Sequence, residues 1–324
     1  MSGRPGGVAA LDGVVRHYDW GSPEAIPRLC GLAPDGRPWA ELWLGAHPSA
    51  PAAVGPGRTP LDRLVAADPQ GQLGPVVAER FGTLPFLLKV LAAARPLSLQ
   101  AHPTLDQARR GFAREEAAGI PVDAPHRSYR DRSHKPELIC ALTTFDALCG
   151  FRHPVRTLAL LDELATGALD PVRAALADSP DAVGLSRVLR HLLELDAAEA
   201  ATLVESVVAA CAAADGSEFA RERRTALRLA ELYPGDAGVV TSLLLNRVTL
   251  RPGQALFLGA GNLHAYLGGV GVEIMANSDN VLRGGLTTKH VDVPALLEVV
   301  DTSPLEPEVQ GSGDAAGGAL DLVF

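Results

Sequence analysis

The sequence predicts a mostly β domain interrupted by an all-helical block. Three observations predict it. Short apolar runs between Gly- and Pro-rich turns fill roughly the first 150 residues. Between Val155 and Leu232 the apolar spacing becomes i, i+3, i+4. After Tyr233-Pro234-Gly235 the short-run pattern returns. The boundaries that follow are 1–152 for the N-terminal part of the β domain, 153–235 for the helical insertion, 236–310 for the returning β part and 311–324 for a flexible tail. A length of 324 residues suits about two domains, and 47% hydrophobic residues allow a sizeable core. Much of that fraction is alanine, which favours helix and adds little core volume.

Element by element, WAELWLGAH, LPFLLKVLAA, PLSLQAH and ELICALTTFDALCGF read as strands, with one short helix at LDRLVAADP. LALLDELATGALDPVRAALAD, LSRVLRHLLELD, AAEAATLVESVVAACAAA and EFARERRTALRLAELY read as four or five helices. Asp170-Pro171 and Ser179-Pro180 look like N-caps followed by Pro at the first helical position, and Asp196 and Ser217 look like caps for the later helices. DAGVVTSLLL reads as a short helix. NRVTL, ALFLGAGNLHAYL, GVGVEIM and DNVLRGG then read as strands, and VQGSGDAAGGALDLVF as a linker or disordered end.

A net charge of −9 without a basic stripe argues against nucleic-acid binding. It also means that an anionic substrate would need a local cationic pocket. No apolar leader or membrane-length run occurs, so a soluble cytoplasmic protein is expected. The four cysteines, Cys30, Cys140, Cys149 and Cys211, show no CxxC spacing and are expected to be buried free thiols.

Lysine is rare: three occur against 26 arginines, as Lys89, Lys135 and Lys289, each beside candidate metal or proton-transfer groups. A composition bias explains the scarcity but not the positions. An ammonium can bind phosphate as a point charge or serve as an acid/base group.

Gln100 and His102 stand two apart in SLQAHP, on one face of a strand. With Glu137 in HKPEL and His264 in GNLHAYL they make a usable site for Zn2+ or a similar divalent ion. A lone histidine on an apolar strand is more often simply packed. His47 and His134 compete as ligands, and His17, His126, His153, His191 and His290 are less well placed. A second cluster joins Glu273, Asp279, Arg283 and Lys289 in GVEIMANSDNVLRGGLTTKH. Glu273 falls inside an apolar strand, where an unpaired carboxylate is unfavourable. Gly284-Gly285 would let backbone approach a ligand. Asn277 to Asn280 form a polar turn. No phosphate-loop, dinucleotide-binding or serine-hydrolase signature occurs.

The segments YDWGS, AELWLGAHPSAP, LPFLLKVLAAARPLSLQAHP, HKPELICALTTFDALCGFR and GQALFLGAGNLHAYLGGVGVEIMANSDNVLRGGLTTKHVDV together resemble the type I mannose-6-phosphate isomerases (phosphomannose isomerases), cupin-fold zinc enzymes. The resemblance implies a cupin (jelly-roll) barrel around the helical insertion and one Zn2+ per chain held by Gln100, His102, Glu137 and His264. It implies a small sugar phosphate as the only partner, with no membrane and no nucleic acid, and a monomer is expected. Arg283 matches the active-site arginine. Glu273, Lys135, Asp279 and Lys289 match residues lining the same pocket. Glu273, or else Lys135, is expected to shuttle the proton, and Lys289 with Ser98 to hold the phosphate. Members with this helical block usually continue into a further C-terminal β domain, and this chain stops early by comparison. Two rival readings are a non-catalytic sugar-phosphate-binding cupin and a metal-dependent cupin oxygenase.

Overall fold

The computed structural model describes residues 8–216 and 218–311. The expected cap Ser217 and nearly all of the expected tail lie outside them. Helix outweighs strand, 38% against 23%, so the architecture is mixed rather than mostly β. Part of the difference lies outside the expected block, in helices at Pro69–Leu73, Pro75–Phe81 and Leu105–Ala117. Each starts from a local signal: the Asp68 carboxylate accepting from Gly71 before Pro69, a proline at position 75, and a capping box in which Thr104 and Gln107 bond each other's backbone. The expected helix at Leu61–Ala67 is present.

Two antiparallel sheets share one long strand, His264–Ala276. Its first part pairs with Phe145–Phe151 and, through His264, with Gln100 of the strand Leu99–Ala101. Its second part lies between Phe86–Ala93 and Glu137–Ala141. The first sheet extends through Glu41–Gly45 to Val14–Arg16, and on its other side through Ala255–Leu258 to Val309–Gln310. The second adds Leu282–Gly285 beside Leu99–Ala101 and Leu245–Leu250 beside Phe145–Phe151. The sequence read HAYL and GVGVEIM as separate runs. They are one strand with a shifted register between Tyr266 and Gly268. Gly269 has φ +124, and a Cβ there would lie 2.6 Å from the Thr144 carbonyl oxygen, so glycine permits the crossing from one sheet to the other. Leu91, Ile139, Phe145, Leu256 and Tyr266, drawn from both sheets, form one buried cluster.

The helices Pro154–Leu164, Asp170–Asp178, Ala182–Glu194, Ala197–Ala213 and Ala220–Leu232 form the expected block. Asp196 caps as expected, in a capping box with Glu199. Asp170 does not cap: it is the first residue inside its helix, with Leu169 at the cap position, and it instead pairs with Arg173. Ser179 ends one helix, while Asp181 caps the next by accepting from Val183 and Gly184. A carboxylate accepting two N–H groups outcompetes the serine two residues earlier. Leu160, Leu189, Val207 and Leu229 of the block share one buried cluster with Leu99 and Leu148 of the sheets and with Leu263 and Leu286, which flank sheet strands. Of the thiols, Cys149 and Cys211 are buried as expected, Cys140 is half-buried and Cys30 is exposed.

Candidate metal centre and active site

The shared strand brings the four expected ligands together. Gln100 and His264 face each other in register, and His102 follows directly on the strand that carries Gln100. The backbone carbonyl of His102 accepts from Gly261, tying down the loop that leads into His264. Nε2 of His102 lies 3.3 Å from Oε1 of Glu137, and Nε2 of His264 lies 3.3 Å from Oε2. One ligand atom from each of the three residues falls within 4.8 Å of the others, and all three side chains are buried.

The two Nδ1 atoms are held by backbone carbonyls, His102 by Asn280 at 2.8 Å and His264 by Asn262 at 3.0 Å. A carbonyl can only accept, so Nδ1 carries the proton and Nε2 offers a lone pair. Both Nε2 lone pairs therefore face carboxylate oxygens, which are also acceptors. His102 Nε2 and Glu137 Oε2 are buried without a hydrogen-bond partner. Acceptors crowded against acceptors in a buried site are unfavourable until a cation lies between them. The donor set, two imidazoles and a carboxylate, is one that Zn2+ takes. The Gln100 amide nitrogen is 3.3 Å from His264 Nε2, and turning the amide about its last bond would bring its oxygen to that side, where it could serve as a fourth donor. Burial pushes the His102 imidazole down to about 4 against the opposing pull of Glu137. The ring is thus neutral near pH 7, the form a metal binds. Glu137 is held well below the usual carboxylate range because the Lys135 ammonium outweighs its burial.

Glu273 is part of a buried charged row. Trp43, Lys89 and Glu273 are in register across three strands. Trp43 Nε1 donates to Glu41 Oε2 at 2.8 Å, and Lys89 Nζ lies 3.3 Å from Glu41 Oε1 and 3.1 Å from Glu273 Oε2. The Tyr266 hydroxyl donates to Glu273 Oε1 at 2.9 Å. Burial raises the Glu273 pKa; Lys89 opposes this, and Glu137 and Glu41 add to it. Lys89 keeps its charge because Glu41 and Glu273 outweigh its burial. In the sequence Lys89 stands out by its rarity and by the segment it lies in, whereas Glu41 and Tyr266 went unmarked. A carboxylate inside the apolar run AELWLG was the available sign for Glu41.

A cavity of about 690 Å3 opens over this row and over Gln100 and Glu137, and all three lysines line it together with Ser98, Asp279 and Arg283. Lys135 Nζ is 3.1 Å from Glu137 Oε1. Asp279 is 3.4 Å from Nε2 of His47, whose pairing outweighs burial and keeps the carboxyl below its ordinary range. His47 therefore belongs to the cavity and not to the metal centre. Among the described residues His134, His17, His126, His153, His191 and His290 join neither. Arg130, unnoticed in the sequence because it sits in a loop without periodicity, also lines the cavity. Burial and then Arg130 lower the pKa of Arg283; burial, Arg283 and Arg130 lower that of Lys289, which sits exposed at the mouth. Arg130, Arg283 and Lys289 are thus a cluster of cations that feel one another, in a chain of net charge −9. Gly284 and Gly285 serve packing rather than ligand approach: Cβ atoms there would meet Leu296 and Leu263, or Asp236 and Gly238.

Residues 8–154 match the family model for the phosphomannose isomerase type I catalytic domain. The chain is 44% identical over 287 residues to the mannose-6-phosphate isomerase of Escherichia coli (strain K12), covering 87% of this chain and 72% of that one. It is 35% identical over 322 residues to the human mannose-6-phosphate isomerase, covering 92% and 74%. A crystal structure of mannose 6-phosphate isomerase from Salmonella typhimurium, bound to its substrate (f6p) and zinc, superposes with a TM-score of 0.84 at 42% identity, covering 94% of this chain and 76% of that one.

Proposed function

The chain belongs to the mannose-6-phosphate isomerase family, and we propose that its cavity interconverts mannose 6-phosphate and fructose 6-phosphate over a zinc ion held by Gln100, His102, Glu137 and His264. The observation that carries this reading is the pair of imidazole lone pairs turned onto the Glu137 carboxylate at 3.3 Å, beside a cation-lined cavity. When bound, zinc supplies Lewis-acid stabilisation of negative charge on the sugar oxygens. Relatives named as isomerases speak for this reading over an oxygenase or a non-catalytic binding protein.

Aldose–ketose exchange moves a proton between C2 and C1 through a cis-enediol(ate). Glu273 is the first choice for that proton. Its raised pKa brings it toward the operating range of a general base, and Tyr266 and Lys89 fix both of its oxygens in place. Lys135 is the second choice, disfavoured by its pairing with Glu137. The Arg283 guanidinium supplies fixed positive charge for the developing oxyanion. The phosphate is assigned to Lys289 and Ser98 with Arg130 added, and Asp279 to the sugar hydroxyls. Two antiparallel sheets sharing a bent strand support a cupin barrel of segments 1–152 and 236–310 around an insertion of 153–235. The enzyme is read as a cytoplasmic monomer, the location resting on four free thiols. Among the described residues no helix is long and apolar enough to cross a membrane.

Reaction in deuterated water tests the chemistry. Mannose 6-phosphate should yield fructose 6-phosphate carrying deuterium at C1. Folded, zinc-loaded protein that forms no fructose 6-phosphate would refute the assignment.

A further inference from the structure

His102 takes its orientation from one backbone carbonyl, that of Asn280, at 2.8 Å. The Asn280 side chain is itself fully buried and fully engaged. Its Oδ1 accepts from the backbone N–H groups of Arg130 at 2.7 Å and Asp131 at 3.2 Å. Its Nδ2 donates to the carbonyls of Asp131 at 2.9 Å and Ser133 at 2.8 Å, and reaches the Asp131 carboxylate at 3.2 Å. Both amide N–H groups and both lone pairs are used, the full capacity of the side chain. The Asp131 carboxylate returns the connection, accepting from the Ser278 hydroxyl at 2.9 Å and from the Asp279 backbone N–H at 2.8 Å. Ser278 is also buried, and its hydroxyl accepts from the Asn280 backbone N–H at 3.2 Å.

This knot joins two segments about 150 residues apart, and both carry functional groups. One runs from Arg130 through Lys135 to Glu137; the other runs through Asp279 to Arg283. We infer that Asn280, clamped by Asp131 and Ser278, is a positioning residue of the zinc centre. Its backbone carbonyl fixes the His102 tautomer that turns Nε2 toward Glu137, and its side chain docks the loop that holds Arg130 over the cavity. The inference rests on the zinc reading above. Outer partners of metal-bound imidazoles matter because a ring free to rotate or to exchange tautomers offers its lone pair only part of the time.

Zinc affinity of the metal-free protein, measured by competition against a chromophoric chelator, separates this role from plain stability. Asn280→Ala should weaken zinc binding about 10–100-fold and raise KM for mannose 6-phosphate at saturating zinc, because Arg130 loses its anchor. Ser278→Ala, which removes one arm of the clamp, should shift affinity in the same direction by less, and it decides the matter if Asn280→Ala does not fold. Val65→Ala, on the buried face of the helix Leu61–Ala67 and outside the core cluster behind the ligands, should lower Tm yet keep parental zinc affinity. Folded Asn280→Ala or Ser278→Ala protein with parental zinc affinity would overturn the inference while the parent still binds zinc and isomerises. A parent that binds no zinc would sink both the inference and the reading on which it rests.

Discussion

Glu273 shows how one residue can be both a fold problem and a functional asset. A carboxylate in an apolar strand needs a partner, and Lys89 supplies it at 3.1 Å from the neighbouring strand. The row Trp43–Glu41–Lys89–Glu273–Tyr266 could not be read from the sequence, because its members come from three strands far apart in the chain and only register unites them. The candidate ligands were more legible, since Gln100, His102, Glu137 and His264 each stand in a Gly- or Pro-marked segment, although the resemblance was needed to choose them over His47 and His134. Arg130 left no sign beyond its closeness to Lys135. The two arginines should separate kinetically. Arg283→Ala removes charge needed as the oxyanion develops, so kcat should fall more than about 100-fold. If Arg130 holds the phosphate as proposed, Arg130→Ala removes a contact made equally in ground and transition states, so KM should rise about 10–100-fold with kcat largely kept. Steady-state kinetics on both variants would expose a reversed assignment.

Among elements, the strands that carry the site were readable from the sequence but their continuity was not, and Val309–Gln310, read as the start of a linker, is instead an edge strand. The two glycines at 268 and 269 look like a turn, yet they bend a strand that carries His264 at one end and Glu273 toward the other. Gly269→Ala adds a Cβ 2.6 Å from a carbonyl oxygen at φ +124, so it should cost about 2–4 kcal/mol in urea unfolding. A parental midpoint would mean the bend is not as described. The capping box Thr104–Gln107 was written plainly in TLDQ, and the short span before the next polar segment hid the helix it starts. A second element-scale device ties the strands flanking the helical block. Arg247 grips Asp146 through two nitrogens at 2.9 and 2.8 Å, and Thr249 donates to the same carboxylate at 2.6 Å. Burial alone would raise the Asp146 pKa, but Arg247 and Thr249 lower it. A lowered carboxyl stabilises the fold above its unfolded pKa of about 4 and loses that contribution as pH falls through the folded value. Asp146→Asn should therefore cost about 1 kcal/mol near neutrality, discounted for its partial exposure, and approach parental stability in strong acid. Thermal melts of both proteins across pH would settle it, and an equal deficit at every pH would deny the ion pair its role.

At the scale of the molecule, periodicity was enough to place a run of helices between two strand-bearing stretches, because the switch from period 2 to period 3.6 is abrupt near His153. They did not show that insertion and framework share one buried cluster, with Leu229 and Leu160 in the same core as Leu99 and Leu263, since contacts across such distances leave no local pattern. The consequence is functional. Leu99 lies in the strand that carries Gln100, and Leu263 directly precedes His264, so the helical core packs against residues that flank two of the candidate ligands. The proposed zinc-dependent isomerase site calls for a coupled assay of fructose 6-phosphate formation from mannose 6-phosphate, run before chelation, after chelation and after zinc is restored. Activity that disappears with the metal and returns with zinc is the predicted result. Activity indifferent to chelation, in protein shown to be metal-free, would contradict it.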